Sequence, residues 1–446
     1  MDPSLQDLLN DLYSRRAGGI KLGLGTVRAL LRELGDPHVG APIVHVAGTN
    51  GKGSVVAMLD SILRMAGFLA ARYTSPHLLR FNERLSVGDV EISDDALYPL
   101  LLEVEQAARD LEKSSCIRAP TFFEFTTAAA FAWFRREQAD PWILETGLGG
   151  RLDATNVVEP MVTAITSIGI DHASFLGDSI GDVAREKAGI IKPGVPVVVG
   201  EMPPAARSVI EETARVHAAP VINAADRVSV RKSRAKEEIT FETGSNSLGP
   251  LRFPLRGEHQ VGNARVALAV AEILSELRGY KLSACSLSAG LESVTWAGRG
   301  QLVSGDPPVF LDCAHNPDGA KSLVETVNEL WPGRPAALVA GFSRDKDVEG
   351  IFRAVGPRFD PIWIVELRNP ARLPLPDALK ASRRAGVRAR SGDLGNACAD
   401  AIRWAIGEGD GVVCVAGSVY LAGEYLEQAA GEGSVPRKSA ILRDIA

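Results

Sequence analysis

Short β-rich apolar runs alternate with helix-patterned stretches along nearly the whole chain, and this alternation constrains the fold more than any other feature. "PIVHVAG" (42–48) reads as a strand, and "KGSVVAMLDSILRMAG" after it as a helix that Gly67 can end. "PWILE" (141–145), "MVTAITSIG" (161–169) and "VPVVVG" (195–200) are further strands. Strands spaced by helices predict an α/β fold with a mainly parallel sheet covered on both faces. Residues 227–256 interrupt the rhythm: "VSVRK", "EEITFET" and "LRFPL" read as a small antiparallel sheet. A helix then runs from about Glu258 to Leu277, with Val261, Ala264, Val266, Ala267, Val270 and Leu274 forming its apolar stripe.

The pattern resets in "TWAGRGQLVSGDPPV" (295–309), rich in Gly and Pro. A chain of 446 residues exceeds one ordinary domain, so the expected domains are 1–296 and 297–446. The second carries strands at "VFLDC" (309–313), "AALVAGF" (336–342), "IWIVEL" (362–367) and "GVVCVAG" (411–417), a smaller doubly wound unit.

Composition excludes several classes. A hydrophobic share of 46% with 23% charged residues suits a soluble enzyme. A formal net charge of −6 does not suit a general nucleic-acid binder. The cysteines at 116, 285, 313, 398 and 414 form no C-x-x-C and no zinc spacing, and read as reduced, mostly buried thiols. No run approaches the ~20 apolar residues of a membrane span, and the first residues lack a signal-peptide core. A cytoplasmic monomer with no nucleic-acid or membrane partner is expected.

Within this frame, "HVAGTNGKGSVVAM" (45–58) puts glycines and Lys52 between a strand and a helix. A phosphate-binding loop has this context, but its hydroxyl normally follows the lysine directly. Here Gly53 intervenes and Ser54 comes one place late, so a simple tight turn is also open on these residues alone. Glu145 ends a strand, where a carboxylate suits a hard cation, or merely enters solvent. Asp171-His172 follow another strand. "TSPHLLRFNER" (74–84) offers Ser75, His77, Arg80 and Arg84, the arginines as anion contacts or as solvated surface charges. Lys187 lies on a short helix, ordinarily an exposed position. Asn316-Pro317 reads as an N-cap and first helical residue.

Taken in order, "GTNGKGS", "TSPHL…FNER", "FFEFTTAAAF", "ETGLGGRLDATN", "GIDH", "REKAGIIKPG", "GEHQVGNARVAL", "DCAHNPDG" and "GFSRDKD" resemble folylpolyglutamate synthase/dihydrofolate synthase. These are Mur-ligase-type ATP-dependent amide ligases, and the likeness spans about residues 40–420. It implies a larger P-loop domain with a folate or pterin site and a smaller Rossmann-like C-terminal domain, with ATP and glutamate between them. In this family the loop is written GTNGKGS, which accounts for the late serine. Only Thr146, where an aliphatic residue is more usual, departs from the pattern.

The resemblance implies that Thr49, Asn50, Gly51, Lys52, Gly53 and Ser54 hold the ATP phosphates, with His259, Asn263, Arg299 and Asp312 as further ATP contacts. Two Mg²⁺ ions are implied, with Ser54, Ser75, Glu145 and His172 as ligands and a carbamylated Lys187 as a carboxylate-like partner. Ser75, His77, Arg80 and Asp153 fall to the pterin side, and His315 and Asn316 to glutamate. The implied reaction joins L-glutamate to dihydropteroate, to the glutamate tail of tetrahydrofolate, or to both, through an acyl phosphate. Lys52, Arg299 and the metal ions would offset developing charge, and Asp312 or His315 would take the amine proton. Two other readings stay open: a Mur-type ligase acting on a UDP-linked precursor, and a P-loop NTPase switch that ligates nothing.

Overall fold

The computed structural model describes residues 4–15, 19, 21–114, 117–233 and 238–431, and in it the chain packs as two units. The first comprises the described residues of Met1–Ile168, Asp178–Arg252 and Gly262–Ser293. The second comprises those of Gly169–Gly177, Phe253–Val261 and Val294–Ala446. The second unit thus takes in two stretches, 169–177 and 253–261, that precede the composition break at 295–309. Periodicity carries no trace of this, because both stretches are loops or helix starts.

The first unit is built on eight strands: β1 (Ile43–Ala47), β2 (Ala71–Tyr73), β3 (Leu85–Val87), β4 (Val90–Glu91), β5 (Trp142–Glu145), β6 (Val162–Ile165), β7 (Val197–Val199) and β8 (Val221–Asn223). Their spatial order is β4-β3-β2-β5-β1-β6-β7-β8. From β2 to β8 all neighbours are parallel, and β3 and β4 add an antiparallel edge. Central β1, β5 and β6 are buried along their whole length, as strands covered on both faces must be. His45 is the polar exception in β1 and has no exposed surface.

Trp142 on β5 packs edge-on to Phe134 and tilted on Phe131, both from the helix Phe122–Arg136. Each such fully buried side chain contributes about 1.5–3 kcal/mol. The chain runs from β1 out to β2, returns to β5 beside β1, then crosses to β6 on the other side. That reversal makes the carboxyl end of β1 a topological switch point, where open α/β sheets bind ligands.

A separate antiparallel sheet, β9 (Ser229–Ser233), β10 (Glu238–Glu242) and β11 (Ser247–Leu251), has the order β11-β10-β9. Its third strand lies earlier than "LRFPL". As an edge strand it tolerates Pro250, whereas most of the expected segment lies outside the ladder.

The second unit holds β12 (Gln301–Gly305), β13 (Pro308–Leu311), β14 (Ala336–Ala340), β15 (Ile362–Val365), β16 (Arg390–Gly392) and β17 (Val412–Ala416). Their order is β12-β13-β17-β14-β15-β16, parallel except for edge strand β12. Phe310, Phe342, Phe352 and Phe359 anchor its core. The larger parallel domain, the small antiparallel sheet and the Rossmann-like second unit agree with the expected fold class. Of the described cysteines, Cys313, Cys398 and Cys414 are buried and Cys285 is exposed, while Cys116 lies outside the described residues.

Candidate active site

At the switch point β1 ends at Ala47 and the loop Gly48–Gly51 leads into the helix Lys52–Met65. Gly51 is its N-cap at φ +85°, a left-handed conformation, and without a side chain it leaves the helix N-terminus to present amides to an anion. A Cβ at Gly51 would lie 2.2 Å from Asn263 Oδ1, and one at Gly48 (φ +154°) 1.9 Å from Thr166 Oγ1. The loop is tied to the end of β6. Thr49 N–H donates to Ser167 O at 2.8 Å, Asn50 N–H to Ser167 Oγ at 3.1 Å, and Thr166 Oγ1 to Asn50 O at 2.6 Å.

Two lysines converge on this loop. Lys52 Nζ folds back onto Gly48 O at 3.0 Å and Thr49 O at 3.3 Å. Lys187, from the helix Ile180–Ala188, reaches the same Gly48 oxygen at 2.9 Å. Lys187 is only 4% exposed, so the ordinary reading of an exposed helical lysine is wrong. Two cations on one carbonyl at a helix N-terminus, Lys187 buried and Lys52 half-buried, form a site that favours a multiply charged anion.

Glu145 ends β5 opposite Val46 and is buried; its Oε2 accepts the Ser75 N–H at 3.0 Å. Ser54 is buried in the first turn of the loop helix, and Gly53 precedes it there. Thr146 is buried and bonds back through its N–H to Val46 O, so the unusual residue leaves the backbone path regular.

The loop after Ser75 is held by Glu83, whose carboxylate accepts the N–H groups of Leu78, Leu79 and Arg80. His77 Nδ1 accepts from Arg84 Nε at 2.8 Å, and the Arg84 guanidinium lies over Phe122. Arg80 is half exposed and pairs with Asp94 at 2.7 Å. Asp153 is buried, with four donors on its carboxylate: the N–H groups of Gly147, Leu148 and Thr155, and the Thr155 hydroxyl. Burial pushes the Asp153 carboxyl up, against those hydrogen bonds.

The second unit has its own polar cluster. Lys346, after β14, donates to Asp171 Oδ1 (2.8 Å), Asp171 Oδ2 (3.0 Å) and His172 Nε2 (3.0 Å). An ammonium only donates, so His172 accepts on Nε2 and its Nδ1–H faces Asp345 Oδ2 at 3.2 Å. His172 holds φ +51°, an uncommon backbone state for a non-glycine residue. Asn316 caps the helix Pro317–Leu330 through Gly319 N–H, as expected, and donates its Nδ2–H to Asp171 at 3.2 Å.

His315 Nδ1–H donates to Cys313 O at 2.8 Å, leaving Nε2 at 3.4 Å from Asp171 Oδ2. Burial opposes ionisation of Asp171. The Lys346 ammonium on both of its oxygens, with the His315 imidazole alongside, outweighs it and holds the carboxyl far below its usual range. Burial pushes the His315 imidazole down, with Asp171 opposing.

Asp312 accepts from Gly300 N–H (2.8 Å) and Ala314 N–H (2.7 Å). His259 shares the electrostatic neighbourhood of Asp312 and Arg299; burial lowers its imidazole, Asp312 raises it, and Arg299 lowers it again.

The structure therefore joins Lys52 with Lys187, Gly51 with Asn263, Ser75 with Glu145, and His259 with Asp312 and Arg299. His172 falls with His315 and Asn316 in the second unit. Lys346 is the residue that motif reading missed: "GFSRDKD" pointed to the segment but not to the lysine. Among the described residues no three His, Cys, Asp or Glu side chains form a metal cluster, and no helix is long and apolar enough to cross a membrane.

Models of the Mur ligase middle domain and of the Mur ligase, glutamate ligase domain match residues 46–271 and 298–419. With the glycine loop in place, the chain is an ATP-dependent ligase of the Mur class. Dihydrofolate synthase/folylpolyglutamate synthase of Bacillus subtilis is 39% identical over 357 residues, 79% of this chain and 83% of that one. The Escherichia coli protein of the same name is 34% identical, over 81% of each chain. Mycobacterium tuberculosis folylpolyglutamate synthase complexed with ADP superposes with a TM-score of 0.88 at 31% identity, covering 95% of this chain and 98% of that one. The E. coli FolC structure with DHPP and ADP gives 0.85 at 31%, covering 97% and 100%. The chain belongs to the folylpolyglutamate synthase/dihydrofolate synthase family.

Proposed function

We propose that this ligase adds L-glutamate both to dihydropteroate and to the glutamate tail of tetrahydrofolate, as a cytoplasmic monomer. The observation that carries the reading is the convergence of Lys52 and Lys187 on the Gly48 carbonyl, at the mouth of a loop spelled GTNGKGS. The names of the relatives, several of them joining both activities, support the two acceptors.

A carboxylate anion is a poor electrophile. Transfer of the γ-phosphoryl group of ATP to an acceptor carboxylate oxygen makes an acyl phosphate and releases ADP. The neutral amine of glutamate then adds to the acyl carbon, and the tetrahedral adduct expels inorganic phosphate as the amide forms. Lys52 neutralises phosphate charge during transfer, and Arg299 adds a second cation. His315 takes the amine proton on Nε2, because its hydrogen bond to Cys313 O keeps the other proton on Nδ1. Asp171 stabilises the resulting imidazolium. Asp312, with both oxygens on backbone N–H groups, orders the 298–300 turn instead.

The oxygens of buried Ser54 and Glu145 and of half-buried Ser75 suit a hard cation that keeps phosphate and water ligands, as Mg²⁺ does. When bound it supplies charge neutralisation on the triphosphate. A second ion at His172 requires Lys346 to leave Nε2 first. Reaction of the neutral Lys187 amine with CO₂ would give a carbamate and a proton, replacing one of the two crowded cations with an anion; ¹³C NMR under ¹³CO₂ detects it.

ADP release in the presence of dihydropteroate, tetrahydrofolate or a UDP-muramoyl acceptor, each with and without glutamate, tests the reading. Release that needs glutamate with both of the first two supports it. Release that needs the UDP-linked acceptor, or no acceptor at all, overturns it.

A further inference from the structure

His45 is a buried polar group that the phosphate chemistry leaves unused. It lies in the middle of β1, and its Nε2 is 2.8 Å from Thr155 Oγ1. That hydroxyl lies 2.5 Å from Asp153 Oδ1. A hydroxyl has one hydrogen; with it given to the carboxylate, the contact with His45 is a donation from Nε2–H. His45 Nδ1 is buried and has no hydrogen-bond partner among the described residues. Leaving such a nitrogen unsatisfied carries a desolvation penalty, so an apolar residue would serve the core better.

The chain of bonds continues past Asp153. Its Oδ2 accepts the N–H groups of Gly147 (2.9 Å) and Leu148 (2.8 Å), in the turn just after Glu145. Gly147 is pressed against Phe123: a Cβ there would lie 2.5 Å from Phe123 Cζ. A continuous relay thus links the centre of the strand that ends in the nucleotide loop to the backbone that follows Glu145. Asp153 acts within it by shaping the loop, since the four donors on its carboxylate, from Gly147, Leu148 and Thr155, all belong to residues 147–155.

We propose that His45 is a positioning residue for the acceptor side of the reaction: through Thr155 and Asp153 it sets the 147–155 loop against β1. The inference rests on the proposed function and on the placement of Asp153 on the pterin side that the family resemblance implies. His45→Leu removes the donor, whereas His45→Gln retains an N–H donor at similar reach. His45→Leu is expected to raise KM for dihydropteroate about tenfold while KM for ATP changes by less than about twofold. Amide exchange at Gly147 and Leu148 is expected to quicken, and His45→Gln to restore most of both.

An unchanged dihydropteroate KM with unchanged exchange in His45→Leu would overturn the inference, as would a glutamine variant no better than leucine. Should His45→Leu not fold, Thr155→Val cuts the same relay one bond further on and carries the same expectations. The exchange measurement decides whether the relay holds the loop whatever the acceptor proves to be. A wild-type enzyme indifferent to dihydropteroate would count instead against the functional reading.

Discussion

Lys346 shows how much of the second unit's site depends on one cation. Its side chain is 8% exposed and that of Asp171 9%, and the aspartate also anchors Asn316. Replacing Lys346 by methionine strands a buried carboxylate, and breaking such a pair costs about 3–5 kcal/mol. The second unit's urea transition should move to lower concentration in Lys346→Met and recover in part when Asp171→Asn is added. Equal midpoints in wild type and the single variant would contradict the assignment. The lysine was not legible in the sequence because its partners Asp171 and His172 lie 175 and 174 positions away. Helical context alone reads Lys187 as exposed for a related reason, since only tertiary packing brings it to Gly48; the family resemblance is what points to it in the sequence.

Among the elements, the helix Lys52–Met65 was the most legible, since its glycine entry and Gly67 beyond its end are both local signals. Its start depends on Gly51. Gly51→Ala forces a side chain into the left-handed region and against Asn263, so ATP KM should rise at least about tenfold; steady-state kinetics would show it. β1 makes a pH prediction. Burial, with a smaller contribution from Lys192, lowers His45 from 6.5 to about 3. Between those values the unfolded chain binds the proton and the native chain does not. The stabilisation is therefore full above about pH 6.5 and is lost as pH falls towards 3, by at most about 1.4 kcal/mol per pH unit. Urea melts from pH 7 to 4 should show a shallower acid loss in His45→Gln than in wild type. The edge strands β12 and β16 escaped sequence reading, because neither "QLVSG" nor "RSG" has the apolar run that marks the central strands.

For the whole molecule, the parallel sheets and the two-unit plan follow from alternation that any window of the sequence displays. The assignment of 169–177 and 253–261 to the second unit does not, being decided by packing between distant segments. The chemistry was legible for the opposite reason: phosphate binding needs glycines, a lysine and a helix start in consecutive positions, so one short stretch spells it. The central claim is that the chain activates a pterin-linked carboxylate as an acyl phosphate before joining it to glutamate. Dihydropteroate labelled with ¹⁸O in its carboxylate, incubated with the enzyme, ATP and glutamate, tests this directly by mass spectrometry of the phosphate released. One carboxylate oxygen should appear in each phosphate formed with the glutamyl product; unlabelled phosphate would contradict the acyl phosphate and leave ATP hydrolysis uncoupled from ligation.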